Sequence, residues 1–278
     1  MNTRRALFRL LPPIITDCAR GLRQSFFGGA PQWEYRPTGW NVSTKGWNVE
    51  GIARLEKNKW NHFAQLTQTT APLGVNHEDL LPTNENSVDH NTIMSFAYVL
   101  ALTAGEHTRI SVLDWGGGLG HYYVFARTLF PFLKLDYHCR DLSPFCKYGP
   151  EVLPEVVFHD SDSSFGSTTF DLVFSSGSLQ YVENWQTELG LLASVSAKYL
   201  YVTRIPMVTN AESFVVLQRP HGVQYPSEYL GWVFNQKTLL EEAQKLGLRL
   251  VREFIVQEQP MVPSAPEQPR YRGFLFRR

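Results

Sequence analysis

The sequence predicts an α/β protein with a doubly wound, mostly parallel sheet, helices on both of its faces and an N-terminal extension. Three observations carry this. From about residue 110, short β-branched runs alternate with stretches of helical spacing. Strands separated by crossover helices imply a parallel sheet. The polar segments "DWGGGLG", "RDLSP", "HDSD" and "SSGS" each follow a strand, at the carboxyl ends where such sheets bind ligands.

The elements follow in order. "ISVLD" (110–114) is the first strand, closed by an acid, and "LGHYYVFARTLF" (119–130) is a helix stopped by Pro131. "KLDYHC" (134–139), "VVFHD" (156–160) and "FDLVFSS" (170–176) read as strands two to four. A helix over 183–199 precedes a fifth strand, "YLYVTRI" (199–205). "QKTLLEEAQKLG" (236–247) is a helix with glycine at its end, and "RLVREFIVQE" and "YRGFLFRR" close a seven-stranded sheet.

Ahead of this, residues 31–61 are rich in Trp, Gly and Asn with little periodicity, and "HNTIMSFAYVLALTA" (90–104) is a helix feeding the first strand. The chain therefore divides into a basic arm and wrapping extension, 1–87, and a main domain, 88–278. Within the latter, the irregular stretch 206–235 reads as a lid over a site.

The 26 basic and 26 acidic side chains cancel. No overall field draws the chain to nucleic acid, so the expected partner is a small molecule. In residues 1–27, Arg4, Arg5, Arg9, Arg20 and Arg23 alternate with apolar residues, while Pro12 and Pro13 split the apolar middle, unlike a signal peptide. Two readings stay open for this arm: an interfacial segment on anionic lipid, or packing on the domain's own surface. Cys18, Cys139 and Cys146 form no CxxC pair. They read as reduced thiols and a cytoplasmic setting, at the inner face of the membrane if the arm binds lipid. No metal-ligand set is expected.

The stretch "SVLDWGGGLGHYY" (111–123) holds four glycines in five positions, so something must approach the main chain closely. A phosphate loop would need GxxxxGK[ST], and no Lys follows. A dinucleotide turn would need GxGxxG, and His121 stands where its third glycine belongs. The pattern D-x-G-x-G-x-G, with Asp114, Gly116, Gly118 and Gly120, suits a ligand carrying a ribose and a methionine-like amino acid. Its ammonium and sulfonium favour nearby carboxylates. Asp141, twenty-one residues past Gly120, can take both ribose hydroxyls. Asp160, at the end of the third strand, can accept from an adenine amino group.

"VLDWGGGLG", "DLSP", "FDLVFSSGSLQYV" and "YLYVTRIPM" resemble the strand motifs of class I S-adenosylmethionine-dependent methyltransferases over about residues 88–278. The resemblance extends to a little-characterised bacterial family, often met among genes for surface-polysaccharide assembly, through "LDWGGGLGHYY", "SSGSLQYV", "TRIP", "LQRP…YPSEYLGW" and "GFLFRR". It implies a Rossmann-like methyltransferase sheet, S-adenosyl-L-methionine as cofactor and methyl transfer to an oxygen of a small molecule or glycan. The Asn/Asp-Pro-Pro-Tyr/Phe signature of nitrogen methylation is absent. Two rival readings are a non-catalytic scaffold of the same fold and an NAD(P)-dependent oxidoreductase.

The expected cofactor residues are Asp114, Gly116, Gly118, Gly120, Asp141 with its neighbour Leu142, Asp160, Ser176, and His90 reaching over from the preceding helix. Gln180 and Tyr181 occupy the turn after strand four, where related enzymes often carry a histidine. Tyr181, Arg204 and His121 are the candidate catalytic groups. Gln180, Tyr225, Tyr229 and Trp232 are the candidate acceptor contacts, with Trp232 as a stacking surface and Arg204 as a fork for a carboxylate, phosphate or sugar diol.

Overall fold

The computed structural model describes residues 31–44, 46–47, 49–79, 81–219 and 227–278. The arm 1–27, Cys18 and Tyr225 lie outside the described residues. In chain order the strands are β1 (Trp33–Arg36), β2 (Arg109–Trp115), β3 (Lys134–Arg140), β4 (Val157–His159), β5 (Phe170–Ser176), β6 (Ser196–Val208), β7 (Phe214–Gln218), β8 (Tyr229–Asn235), β9 (Arg249–Ile255) and β10 (Arg270–Arg277). The helices are α1 (Glu50–Thr67), α2 (Ser87–Ala104), α3 (His121–Leu129), α4 (Ser143–Val152), α5 (Trp185–Val195) and α6 (Gln236–Lys245).

Seven strands form the expected sheet, in the order β4-β3-β2-β5-β6-β10-β9. The pairings from β4 to β6 are parallel, and β10 runs antiparallel to both of its neighbours. The chain winds outward from β2 to β3 and β4 on one side and to β5 and β6 on the other. A crevice therefore opens at the carboxyl end of β2, the topological switch point.

Strand alternation sorts the apolar residues onto two faces. Ile110, Val112, Leu172, Phe174 and Tyr201 join the core under α1 to α4, whereas Leu113, Val173, Leu200 and Val202 join the core under α5 and α6. Phe96 of α2, fully buried against Tyr122 and Phe174, is of a kind whose truncation to Ala costs about 3–5 kcal/mol. No helix among the described residues is long and apolar enough to cross a membrane.

Two segments expected to be irregular are ordered. Residues 31–61 contain β1 and most of α1, whose buried positions Ile52, Glu56, Trp60, Phe63 and Thr67 recur at helical spacing. Most of 206–235 is strand: β6 runs on to Val208, and β7 and β8 form an antiparallel pair that β1 extends. Every residue of β7 is buried, so its unbroken apolar run belongs to a strand covered on both sides. Among the described residues the sheet thus has ten strands rather than seven. The helix expected over 183–199 stops at Val195, because Ser196 already begins β6.

Candidate functional site

The turn after β2 has a steric explanation for its glycines. Gly116 has φ +77°, and a Cβ there would overlap the Ser178 hydroxyl, which donates to the Gly116 carbonyl at 3.2 Å. Gly120 caps α3 in the left-handed region at φ +87°, and its Cβ would crowd Leu153. Gly120 therefore shapes the turn from behind, outside the cavity wall, while Gly116, Gly117 and Gly118 line the cavity.

This cavity, of about 510 Å³, spans the switch point. From β2 comes Asp114, 1% exposed, whose Oδ2 accepts the Tyr137 hydroxyl at 2.8 Å. Burial pushes its pKa up to about 7. From the end of β3 comes Asp141, whose Oδ2 accepts the Gly118 N–H at 2.7 Å and Oδ1 the Leu142 N–H at 2.6 Å. Burial raises its pKa, and these two donors oppose the rise. A carboxylate has about four lone-pair sites, so two N–H donors leave capacity for ligand hydroxyls. Leu142 and Phe145 wall this side; Ser176, which shares a hydrogen bond with the Tyr122 hydroxyl at 3.0 Å, walls the other.

Two expected cofactor residues stand elsewhere. Asp160 is exposed, outside this wall, and accepts the Ser143 hydroxyl at 3.4 Å. Asp162, two residues on, is the acid that turns inward. It takes Arg140 in bidentate fashion, both at 2.8 Å, and the Trp115 indole N–H at 3.1 Å. His90 lies on the first turn of α2, outside the wall, where its Nδ1 accepts the Leu73 N–H at 3.2 Å.

His121 does line the cavity, 3% exposed, stacked on His77 at 4.1 Å and packed against Trp60 and Phe63. Burial holds its pKa well below the ordinary value, so the ring is neutral. Glu56 of α1 stands 3.8 Å away. Burial pushes Glu56 up to about 7 despite its ion pair with Lys59, and its Oε2 has no hydrogen-bond partner.

A second cavity, of about 390 Å³, adjoins the first. It opens where the sheet splits: β5 leaves β6 after Thr203, and β8 joins β6 only at Met207. Arg204 occupies the gap. Opposite it the β6–β10 register shifts, so that Thr203 and Arg204 together face Gly273. A Cβ on Gly273 would strike Thr203. The bulge puts Arg204 at φ +52°, a conformation that costs a non-glycine residue about 1–3 kcal/mol and re-aims its side chain. The guanidinium lies between Glu78 at 3.5 Å and Glu258 at 3.7 Å, not on Glu228, which pairs with Arg219. Burial works against the Arg204 charge, but the two carboxylates outweigh it and raise the pKa further.

Gln180 and Tyr181 lie in a single 3-10 turn, Leu179–Tyr181, and line this second cavity. Burial pushes the Tyr181 hydroxyl pKa well up, so it stays protonated at neutral pH, and it donates to Gln218 Oε1 at 3.0 Å. Tyr229 stacks on Trp47 at 4.2 Å and 9°. Trp232 is outside both walls. Residues 229 and 231 share the Tyr181 face of β8, whereas 230 and 232 pack toward Trp40, and the Trp232 indole donates to the Glu183 carbonyl at 3.1 Å.

Sequence reading missed Glu56, His77, Glu78, Trp47 and Gln218. For Glu56 a signal existed: it interrupts the Ile52–Trp60 stripe at i+4 spacing, an acid on an otherwise apolar face.

A doubly wound sheet with an acid-lined glycine turn at its switch point, opening into a second cavity, can hold a nucleoside-type ligand beside a second molecule. Residues 90–253, more than half of the chain, match the family model described as a methyltransferase domain, and the chain belongs to that family. No curated protein sequence matches it significantly. Among solved structures, it is similar to a "putative sarcosine dimethylglycine methyltransferase" from Galdieria sulphuraria (12% identity, 80% of this chain and 97% of that one, TM-score 0.50). It is also similar to a Burkholderia thailandensis 1,6-didemethyltoxoflavin-N1-methyltransferase with bound 1,6-didemethyltoxoflavin and S-adenosylhomocysteine (14%, 88% and 99%, TM-score 0.48). A third is the magnesium protoporphyrin IX methyltransferase from Synechocystis PCC 6803 with bound S-adenosylhomocysteine (13%, 82% and 97%, TM-score 0.48). At these identities the likeness is one of fold.

Proposed function

We propose that this protein transfers a methyl group from S-adenosyl-L-methionine to an oxygen of a small molecule or glycan. The observation that carries the reading is the convergence of Asp114 and Asp141, from adjacent strands, on one cavity whose floor is the Gly116–Gly118 turn. The residues fit the cofactor. At Gly118, which lines the cavity, a Cβ would meet nothing nearer than the His121 ring at 3.7 Å, so the space beside the turn is open, and the buried acids suit a cation and a ribose. Asp141 would hold the ribose hydroxyls and Asp114 the ammonium, and Glu56, with an unpartnered Oε2, offers a further hydrogen-bonding group beside neutral His121.

The cofactor supplies a methyl carbon on a positively charged sulfur, open to direct displacement. The chain's part is mainly alignment. Tyr181 and Arg204 line both cavities and orient an acceptor between them. Glu78 also lines both; its side chain is half exposed, and Arg204 beside it holds its pKa below the usual carboxylate range. It is thus ionised at neutral pH and positioned to take the hydroxyl proton, whose acidity rises as the new C–O bond forms. The segment 206–235 supplies Gln218 and Tyr229 to the acceptor side, in keeping with a covering role. The resemblance to a family near polysaccharide-assembly genes favours a saccharide acceptor.

Thermal unfolding with S-adenosylhomocysteine, with NAD and with buffer alone tests this. A ligand at a hundred times its dissociation constant adds about 2.7 kcal/mol. Stabilisation by S-adenosylhomocysteine alone is expected, and stabilisation by NAD alone would overturn the reading.

A further inference from the structure

The second cavity carries chemistry of its own, and what it implies rests on the methyl-transfer reading above. Four glutamines, Gln32, Gln180, Gln218 and Gln259, line it together with Trp33 and other aromatic rings. Gln180 and Gln218 are 1% and 6% exposed. Gln180 Nε2 donates to the Arg204 carbonyl at 3.4 Å, and its Oε1 has no partner. Gln218 Oε1 accepts from Tyr181, and its Nε2 has no partner. One buried acceptor and one buried donor are therefore unsatisfied in the same wall, where most buried polar groups find partners. A hydroxyl group is donor and acceptor at once, so it can meet either amide after a small turn of the side chain.

The charges decide between ligand classes. The two cations in the wall are each matched twice: Arg204 by Glu78 and Glu258, Arg219 by Glu34 at 2.7 Å and Glu228 at 2.6 Å. A carboxylate or phosphate entering here meets guanidiniums that are already matched, with Glu78 and Glu258 in the wall itself, and repulsion follows. The Arg204 fork, expected from the sequence to take a carboxylate, phosphate or sugar diol, is already engaged. Aromatic rings, by contrast, offer apolar faces to the C–H side of a ring whose edges carry hydroxyls.

We infer that the second cavity is the acceptor site and that it takes an uncharged, hydroxyl-rich ring, a neutral pyranose, held edge-on by Gln180 and Gln218. Saturation-transfer NMR on the full chain, saturated with S-adenosylhomocysteine, tests it with methyl glycosides of glucose, galactose, mannose and rhamnose beside glucuronate at pH 7. At least one neutral glycoside should receive saturation, with glucuronate at least fivefold weaker. Gln218→Leu and Gln180→Leu, each checked for an unchanged melting curve and unchanged S-adenosylhomocysteine affinity, should reduce the signal at least fivefold, and one folded variant of the two suffices. Silence from every neutral glycoside, glucuronate binding equally well, or full signal in a folded variant would overturn the inference. Failure to bind S-adenosylhomocysteine at all would instead overturn the methyl-transfer reading.

Discussion

Asp141 Oδ2 accepts the backbone N–H of Gly118 at 2.7 Å, so the acid that ends β3 is tied to the turn that follows β2. One carboxylate thereby fixes the geometry of the glycine turn and faces the cavity beside it.

Replacing Asp141 with Ala should weaken S-adenosylmethionine binding by about 2–3 kcal/mol, roughly 30- to 150-fold, through lost charge-assisted hydrogen bonds. Equilibrium dialysis with labelled cofactor measures this, and a melting curve checks that the fold persists. An affinity within twofold of wild type would remove Asp141 from the ribose site.

Asp114 gives a signed pH dependence. Its pKa rises from 3.8 to about 7 on folding, through burial. A raised carboxyl pKa contributes stability that is fully present below the unfolded value and is lost as pH climbs through about 7. Wild type should therefore lose stability relative to Asp114→Asn between pH 5 and 8. Binding a ligand ammonium favours the ionised acid, so S-adenosylhomocysteine affinity should rise over the same range in wild type and stay flatter in the variant. Parallel pH profiles for the two proteins would refute the assignment.

The glycine turn and its acids were legible because strand-end motifs are local: Asp114, Gly116 and Asp141 are each positioned by their own strand. Asp160 and Asp162 could not be told apart, since the choice depends on which acid Arg140 and Trp115 reach across the sheet. Arg204's ion pairs were not legible for a similar reason. Glu78 and Glu258 lie far from it in sequence and meet it only where β6 bulges against β10. The extra strands β7 and β8 were hidden because a strand buried on both faces shows no alternation.

Gly116→Ala should destabilise the protein by about 1–3 kcal/mol, because Ala must adopt φ +77° and its Cβ meets Ser178. Adding Ser178→Ala should recover only part of this, as the overlap disappears and the dihedral penalty remains. Urea midpoints report both. Wild-type stability in Gly116→Ala would show that the turn can relax without cost.

On the acceptor side, Glu78→Gln and Tyr181→Phe should leave S-adenosylhomocysteine affinity within about threefold. Methyl transfer should fall by a factor on the order of 10² for Glu78→Gln, a typical share for a positioned base, with loss of the acidic limb of the pH–rate profile. Tyr181→Phe should act on turnover without changing that limb, because the hydroxyl only fixes Gln218. An unchanged acidic limb in Glu78→Gln would place the proton elsewhere.

The central claim, that the acid-lined glycine turn is a site for S-adenosylmethionine, is tested most directly by isothermal titration of the wild-type chain with S-adenosylhomocysteine in the absence and presence of NAD. The account predicts saturable binding of one S-adenosylhomocysteine per chain, with an affinity that excess NAD does not change. Saturable binding of NAD together with no heat from S-adenosylhomocysteine would contradict it.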